Sequence, residues 1–142
     1  MKIYLLDTNI ISEPVKPNPN LSVLKKIGEN IEYSNICSVT WAETLTGIKT
    51  LSKGKKKDML FDYATNQIQR LYEILPFDSF AATIYSDIIS QLKEKGKLPP
   101  KLDLMIASTA IANNLILVTR NTDDFLSIKE VSNLMTENWF VE

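Results

Sequence analysis

Short apolar runs rich in strand formers alternate along this chain with longer stretches of helical periodicity, and that alternation limits the fold more than any other feature. Strand-like runs occupy 2–6, 33–37, 73–77 and 115–119, and a weaker one lies near 133–135. Between them, 21–28, 40–51, 56–72, 79–95 and 101–113 carry apolar side chains three and four residues apart, the spacing of one helix face. Pro14, Pro17 and Pro19 delay the first long helix, while Gly28, Gly54, Gly96 and Asn113-Asn114 punctuate the later ones. Asp78 stands where an N-cap belongs. The run 115–119 is apolar throughout and reads as a strand covered on both faces. Strand, helix, strand in this order predicts an α/β fold with a mostly parallel five-stranded sheet flanked by helices in three layers.

A length of 142 residues fits one domain, 1–142. The chain has no histidine and a single cysteine, Cys37. That excludes Ser-His-Asp and Cys-His nucleophilic systems, a disulfide framework and the usual zinc sites. Any catalysis must come from carboxylates, lysines, tyrosines or hydroxyls, and hard oxygen ligands suit magnesium or manganese. No apolar run is long enough to span a bilayer, and the opening residues are not those of an export signal, so a cytoplasmic protein without a membrane partner is expected. The net charge of −1 offers no support for nucleic-acid binding. Two local lysine clusters, Lys53 to Lys57 and Lys93 to Lys101, read first as solvated surface.

Parallel topology also places the acids. Each connecting helix runs antiparallel to its strands, so its N-terminus lies at the sheet's carboxyl edge, where open α/β sheets bind ligands. Asp7 ends the first strand, Glu43 and Asp103 fall in first turns of helices, and Asn121, Asp123 and Asp124 follow the fourth strand. Each has a structural explanation by itself. Asp7 suits a turn or cap, Thr40-Trp41-Ala42-Glu43 fits a capping box, Asp103 complements a helix dipole, and Asp123 or Asp124 could open a short helix. Together they would repel one another and raise each other's pKa, which a bound divalent cation would relieve.

Four motifs stand in order along the chain: Leu5-Leu6-Asp7-Thr8-Asn9, Thr40-Trp41-Ala42-Glu43-Thr44, Asp103-Leu104-Met105-Ile106-Ala107, and Val118-Thr119-Arg120-Asn121-Thr122-Asp123-Asp124. This set resembles PIN-domain ribonucleases, particularly toxins of the VapC type, over nearly the whole length. The resemblance implies a PIN-like fold and a metal-dependent endoribonuclease acting as the toxin of a toxin–antitoxin pair. It implies that Asp7, Glu43 and Asp103 bind Mg2+ or Mn2+ as a catalytic triad, with Asp124 as a further catalytic acid and Asn121 or Asp124 as the fourth metal ligand. Many such domains carry Asp where this chain has Asn121. Thr8 and Thr119 become hydroxyls that orient ligands, Thr8 toward Asp7. Arg120, Lys97 and Lys101 become candidates for the RNA backbone. Implied partners are RNA, a cognate antitoxin covering the acidic groove, and a second copy in a homodimer.

Two other readings compete. An aspartyl-phosphate phosphatase would want a second carboxylate two residues after its nucleophile, and that position is Asn9. A catalytically inactive PIN-like module binding RNA or antitoxin is motivated by Asn121.

Overall fold

A computed structural model describes residues 1–141. The described residues form one five-stranded sheet ordered β3-β2-β1-β4-β5, and every strand pair is parallel. The strands are β1 (Tyr4–Leu6), β2 (Ser34–Cys37), β3 (Glu73–Leu75), β4 (Ile116–Val118) and β5 (Thr136–Glu137). A short α1 (Thr8–Ile11) follows β1, and α2 (Leu21–Asn30) leads into β2. The helix α3 (Ser38–Lys49) follows β2, and α4 (Lys55–Tyr63) passes through a π-turn, Ala64–Ile68, into α5 (Gln69–Leu71). The hairpin α6 (Ser79–Glu94) and α7 (Lys101–Ala112) leads back to β4, and α8 (Leu126–Glu130) precedes β5. None of these helices is long and apolar enough to cross a membrane.

Strand residues alternate between two cores, as a pleated sheet requires. Leu5, Cys37 and Leu117 pack with Ile88, Leu92, Leu104 and Ala107 of the α6–α7 hairpin. Leu6, Ile36 and Val118 pack with Ile10, Ile11, Val23, Ile68 and Trp139. Both faces are therefore covered, which gives the three layers. At about 25 cal/mol per Å2 of apolar surface removed from water, these two clusters supply the main stabilisation.

Several local features follow the expected chemistry. Asp78 caps α6, its Oδ1 accepting from the Ala81 N–H at 2.9 Å. Asn114 adopts a left-handed φ of 55° where α7 stops, and Gly96 does so after α6 at 69°.

Three boundaries differ from the sequence reading. The helix after β2 begins at Ser38 rather than Thr40, with Cys37 as its N-cap, so no capping box forms and Glu43 lies in the second turn. Thr40 is instead fully buried. The last strand is Thr136–Glu137 rather than 133–135, because Leu134 is drawn into the core on the hairpin side. The continuous helix expected over 56–72 is interrupted by the π-turn. Of its aromatics, Tyr72 is buried, and Tyr63 donates its hydroxyl to the Ile11 carbonyl at 2.7 Å. Phe61 faces solvent.

Candidate active site

At the carboxyl edge of the sheet, a pocket of about 290 Å3 is lined by Asp7, Thr8, Asn9, Ser12, Glu43, Asp103, Asn121, Asp124 and Phe125. All five predicted site residues, Asp7, Glu43, Asp103, Asn121 and Asp124, meet here. They come from the end of β1, from α3, from the first turn of α7 and from the segment after β4. Asp123 does not line the pocket.

Asp7 is the buried centre, at 7 % exposure. Its backbone N–H continues the sheet by donating to the Val118 carbonyl at 2.9 Å. One carboxylate oxygen, Oδ1, accepts from the Thr8 N–H at 2.8 Å and so caps α1. The other, Oδ2, accepts from the Thr119 hydroxyl at 2.9 Å. The cap reading is thus met by Oδ1, on a side chain that also lines the pocket.

The two threonines divide their work differently from expectation. Thr8 approaches Asp7 with its backbone N–H alone, while its hydroxyl donates to Glu43 Oε1 at 3.0 Å. Thr119, completely buried, uses its whole hydroxyl valence. It donates to Asp7 and accepts from the Asn121 N–H at 3.2 Å and from Asn9 Nδ2 at 3.3 Å.

The electrostatics are those of acids crowded without a counter-ion. Burial raises the Asp7 carboxyl above its usual range, against the pull of Thr8 and Thr119, and the charge of Asp124 raises it further. Burial likewise raises Glu43, the Thr8 hydroxyl opposes that rise, and Asp7 adds to it. Asp103 is pushed up to about 6 by burial first and then by Asp7, Asp124 and Glu43. None of these carboxylates is ion-paired with a lysine or arginine among the described residues.

The basic candidates are placed less simply. Lys97 pairs with Glu130 at 3.4 Å. The Arg120 guanidinium lies 4.5 Å over the Phe140 ring. Lys101 is exposed at the start of α7.

Residues 4–131 match the PIN domain. The chain belongs to the PIN-domain family. This PIN domain is 40% identical over 128 residues to Toxin FitB of Neisseria gonorrhoeae, covering 88% of this chain and 92% of that protein. It is 35% identical over 139 residues to Ribonuclease VapC2 of Rickettsia felis, covering 96% of this chain and 98% of that protein. The crystal structure of FitAcB from Neisseria gonorrhoeae superposes with a TM-score of 0.89 at 35% identity, covering 99% of this chain and 100% of that one.

Within the PIN domain, three pocket residues, Asn9, Ser12 and Phe125, had no site role in the sequence reading. Asn9 follows Asp7-Thr8 within one helical turn, which is the signal that could have found it. Phe125, buried beside Asp124, also lines the pocket. Among the described residues, no group of three or more His, Cys, Asp or Glu side chains is already arranged to hold a metal ion. The donor chemistry nonetheless fits a hard divalent cation. Every candidate ligand is an oxygen, and the raised carboxyls have no basic side chain to neutralise them.

Proposed function

We propose that this PIN domain is a metal-dependent endoribonuclease, the toxin of a toxin–antitoxin pair, acting on RNA in the cytoplasm. The observation that carries the reading is the convergence of Asp7, Glu43, Asp103 and Asp124 on one pocket at the sheet's carboxyl edge. The two named relatives, a toxin and a ribonuclease, support it at 40% and 35% identity.

In this reading, Asp7, Asp103 and Asp124 hold Mg2+ or Mn2+, and Asn121 offers an amide oxygen beside them. When bound, such an ion lowers the pKa of water and neutralises charge at phosphorus. Thr119 and the Thr8 N–H hold Asp7 in place from opposite sides. Glu43 has Oε1 engaged by Thr8, and Oε2 has no protein donor among the described residues. That oxygen is available to orient the attacking water and take its proton, a task that the raised pKa of Glu43 suits. Asn121 does not leave the pocket short of an acid, because Asp124 lines it too. This removes the motivation for an inactive module.

Two apolar cavities flank the acids. One, of about 780 Å3, includes Val39, Phe77, Leu102 and Met105 and shares Glu43. The other, of about 200 Å3, includes Ile11, Ile48, Leu60 and Tyr63 and shares Thr8, Ser12 and Glu43. Apolar ground beside an acidic pocket supports a protein partner that covers both, in keeping with a cognate antitoxin and a homodimer.

The test is cleavage of RNA by the purified chain in Mg2+ or Mn2+. Fragments are expected with metal, none with chelator, and none from Asp7→Asn. Cleavage by Asp7→Asn at the parent rate would remove the assignment.

A further inference from the structure

We propose that Asn9 is a positioning residue that holds the segment carrying Asn121 and Asp124 against Asp7. Its side chain spans the gap between the ends of β1 and β4. Nδ2 donates to Thr119 Oγ1 at 3.3 Å and lies 3.5 Å from Asp7 Oδ2, and Oδ1 accepts from the Arg120 N–H at 3.0 Å. The amide has one workable orientation. A backbone N–H is an obligate donor, so the oxygen must face Arg120, and the two amide hydrogens must then face the carboxylate and the hydroxyl.

Apart from the burial of Phe125 and the stacking of Arg120 on Phe140, the segment beyond β4 is held by few hydrogen bonds. The Thr119 N–H pairs with the Glu137 carbonyl at 3.0 Å, and the next peptide turns away from the sheet. At Arg120 the N–H is taken by Asn9, and the carbonyl accepts from Asn138 Nδ2 at 3.3 Å. Asn121 returns its N–H to Thr119 Oγ1, the atom that Asn9 also reaches. Asp124 then bonds its N–H back to the Asn121 carbonyl at 3.0 Å. A chain of contacts therefore runs from Asn9 through Arg120 and Asn121 to Asp124, and Asn9 is its link to α1. Neither leucine nor aspartate at this place offers both the donors and the acceptor.

The proposal rests on the ribonuclease reading for its kinetic arm only. In the full chain, Asn9→Leu is expected to speed amide hydrogen exchange at Arg120 and Asn121. The amides of Ile116 and Leu117, bonded within the sheet, should stay protected. The same variant should lose about 10- to 100-fold in kcat on RNA with KM nearly unchanged, the mark of displaced rather than missing groups. Parent-like exchange at Arg120, or a raised KM at unchanged kcat, overturns the proposal. Asn9→Ala covers the case in which the leucine variant does not fold. It removes the acceptor and both donors without adding bulk or charge, so exchange at Arg120 should rise and kcat should fall, and parent-like exchange there overturns the proposal. If the parent cleaves no RNA, it is the ribonuclease reading that fails, and exchange at Arg120 alone then decides whether Asn9 holds the segment.

Discussion

The buried hydroxyl of Thr119 donates to Asp7 Oδ2 at 2.9 Å and so joins the ends of β4 and β1 at the point where the acids converge. Thr119→Val keeps the shape and removes this bond together with the two that Thr119 accepts. It leaves buried polar groups unpaired and should cost about 1–3 kcal/mol of stability. RNA cleavage should fall about tenfold or more, since Asp7 loses its fixed position. Thr119→Ser retains the hydroxyl and should keep most of both, as read by denaturant melts and initial rates. A Thr119→Val chain as stable and as active as the parent would contradict this account.

Thr8→Val separates the two roles of its neighbour. The backbone N–H to Asp7 survives, while the hydroxyl to Glu43 is lost. Stability should change by about 1 kcal/mol or less, because the site is only partly buried. The rate should fall about tenfold, as Glu43 is released to swing. Parent-like kinetics would mean that Glu43 needs no such hold.

Asp103 makes stability depend on pH in a defined direction. Its carboxyl titrates at about 6 in the folded chain, against about 3.9 when unfolded. Between those values the folded state keeps a proton that the unfolded state has released. Stability therefore falls as pH rises through this window, and the loss is complete above about pH 6. The metal-free protein should melt higher near about pH 4.5 than near about pH 7.5 on account of this group, and Asp103→Asn should shrink the difference. Melting curves with chelator present test this, and an undiminished difference in the variant would reassign its source.

A divalent cation should reverse that loss. Bound only by the folded chain, Mg2+ or Mn2+ raises the melting temperature by mass action. The rise should be largest above about pH 6, where the acids are charged, and should be much reduced in Asp7→Asn. Equal shifts in parent and variant would place the ion elsewhere.

Asp78→Ala serves as the remote control. It removes the N-cap of α6 and should cost about 0.5–2 kcal/mol while leaving the cleavage rate unchanged. A loss of rate in parallel with stability would show that the assays above read folding rather than chemistry.

Much of the fold was legible because its signals are local. The strand-like runs 2–6, 33–37, 73–77 and 115–119 each contain a strand, two of them ending earlier than read, at Leu75 and Val118, and the cap at Asp78 and the stop at Asn114 likewise follow from a few adjacent residues. The edge strand was misplaced by a few residues because β5 is short, and burial of Leu134 outweighs its strand-like pattern. Trp139, beyond the last strand, is buried against Tyr4, with ring centroids 5.2 Å apart. That contact joins opposite ends of the chain, and no local pattern announces it.

The order of strands and helices in the sequence was enough to bring Asp7, Glu43, Asp103 and the 121–124 segment to one edge, because parallel strands force every following turn to the same side. Which side chain holds which acid was decided only in three dimensions. Thr8 reaches Glu43 across 35 positions, and Thr119 reaches Asp7 across 112. Both bonds depend on β1 lying between β2 and β4, on register and on rotamers. Local periodicity encodes which face a residue occupies. It does not encode which distant hydroxyl or amide will be within hydrogen-bonding distance once the strands are paired.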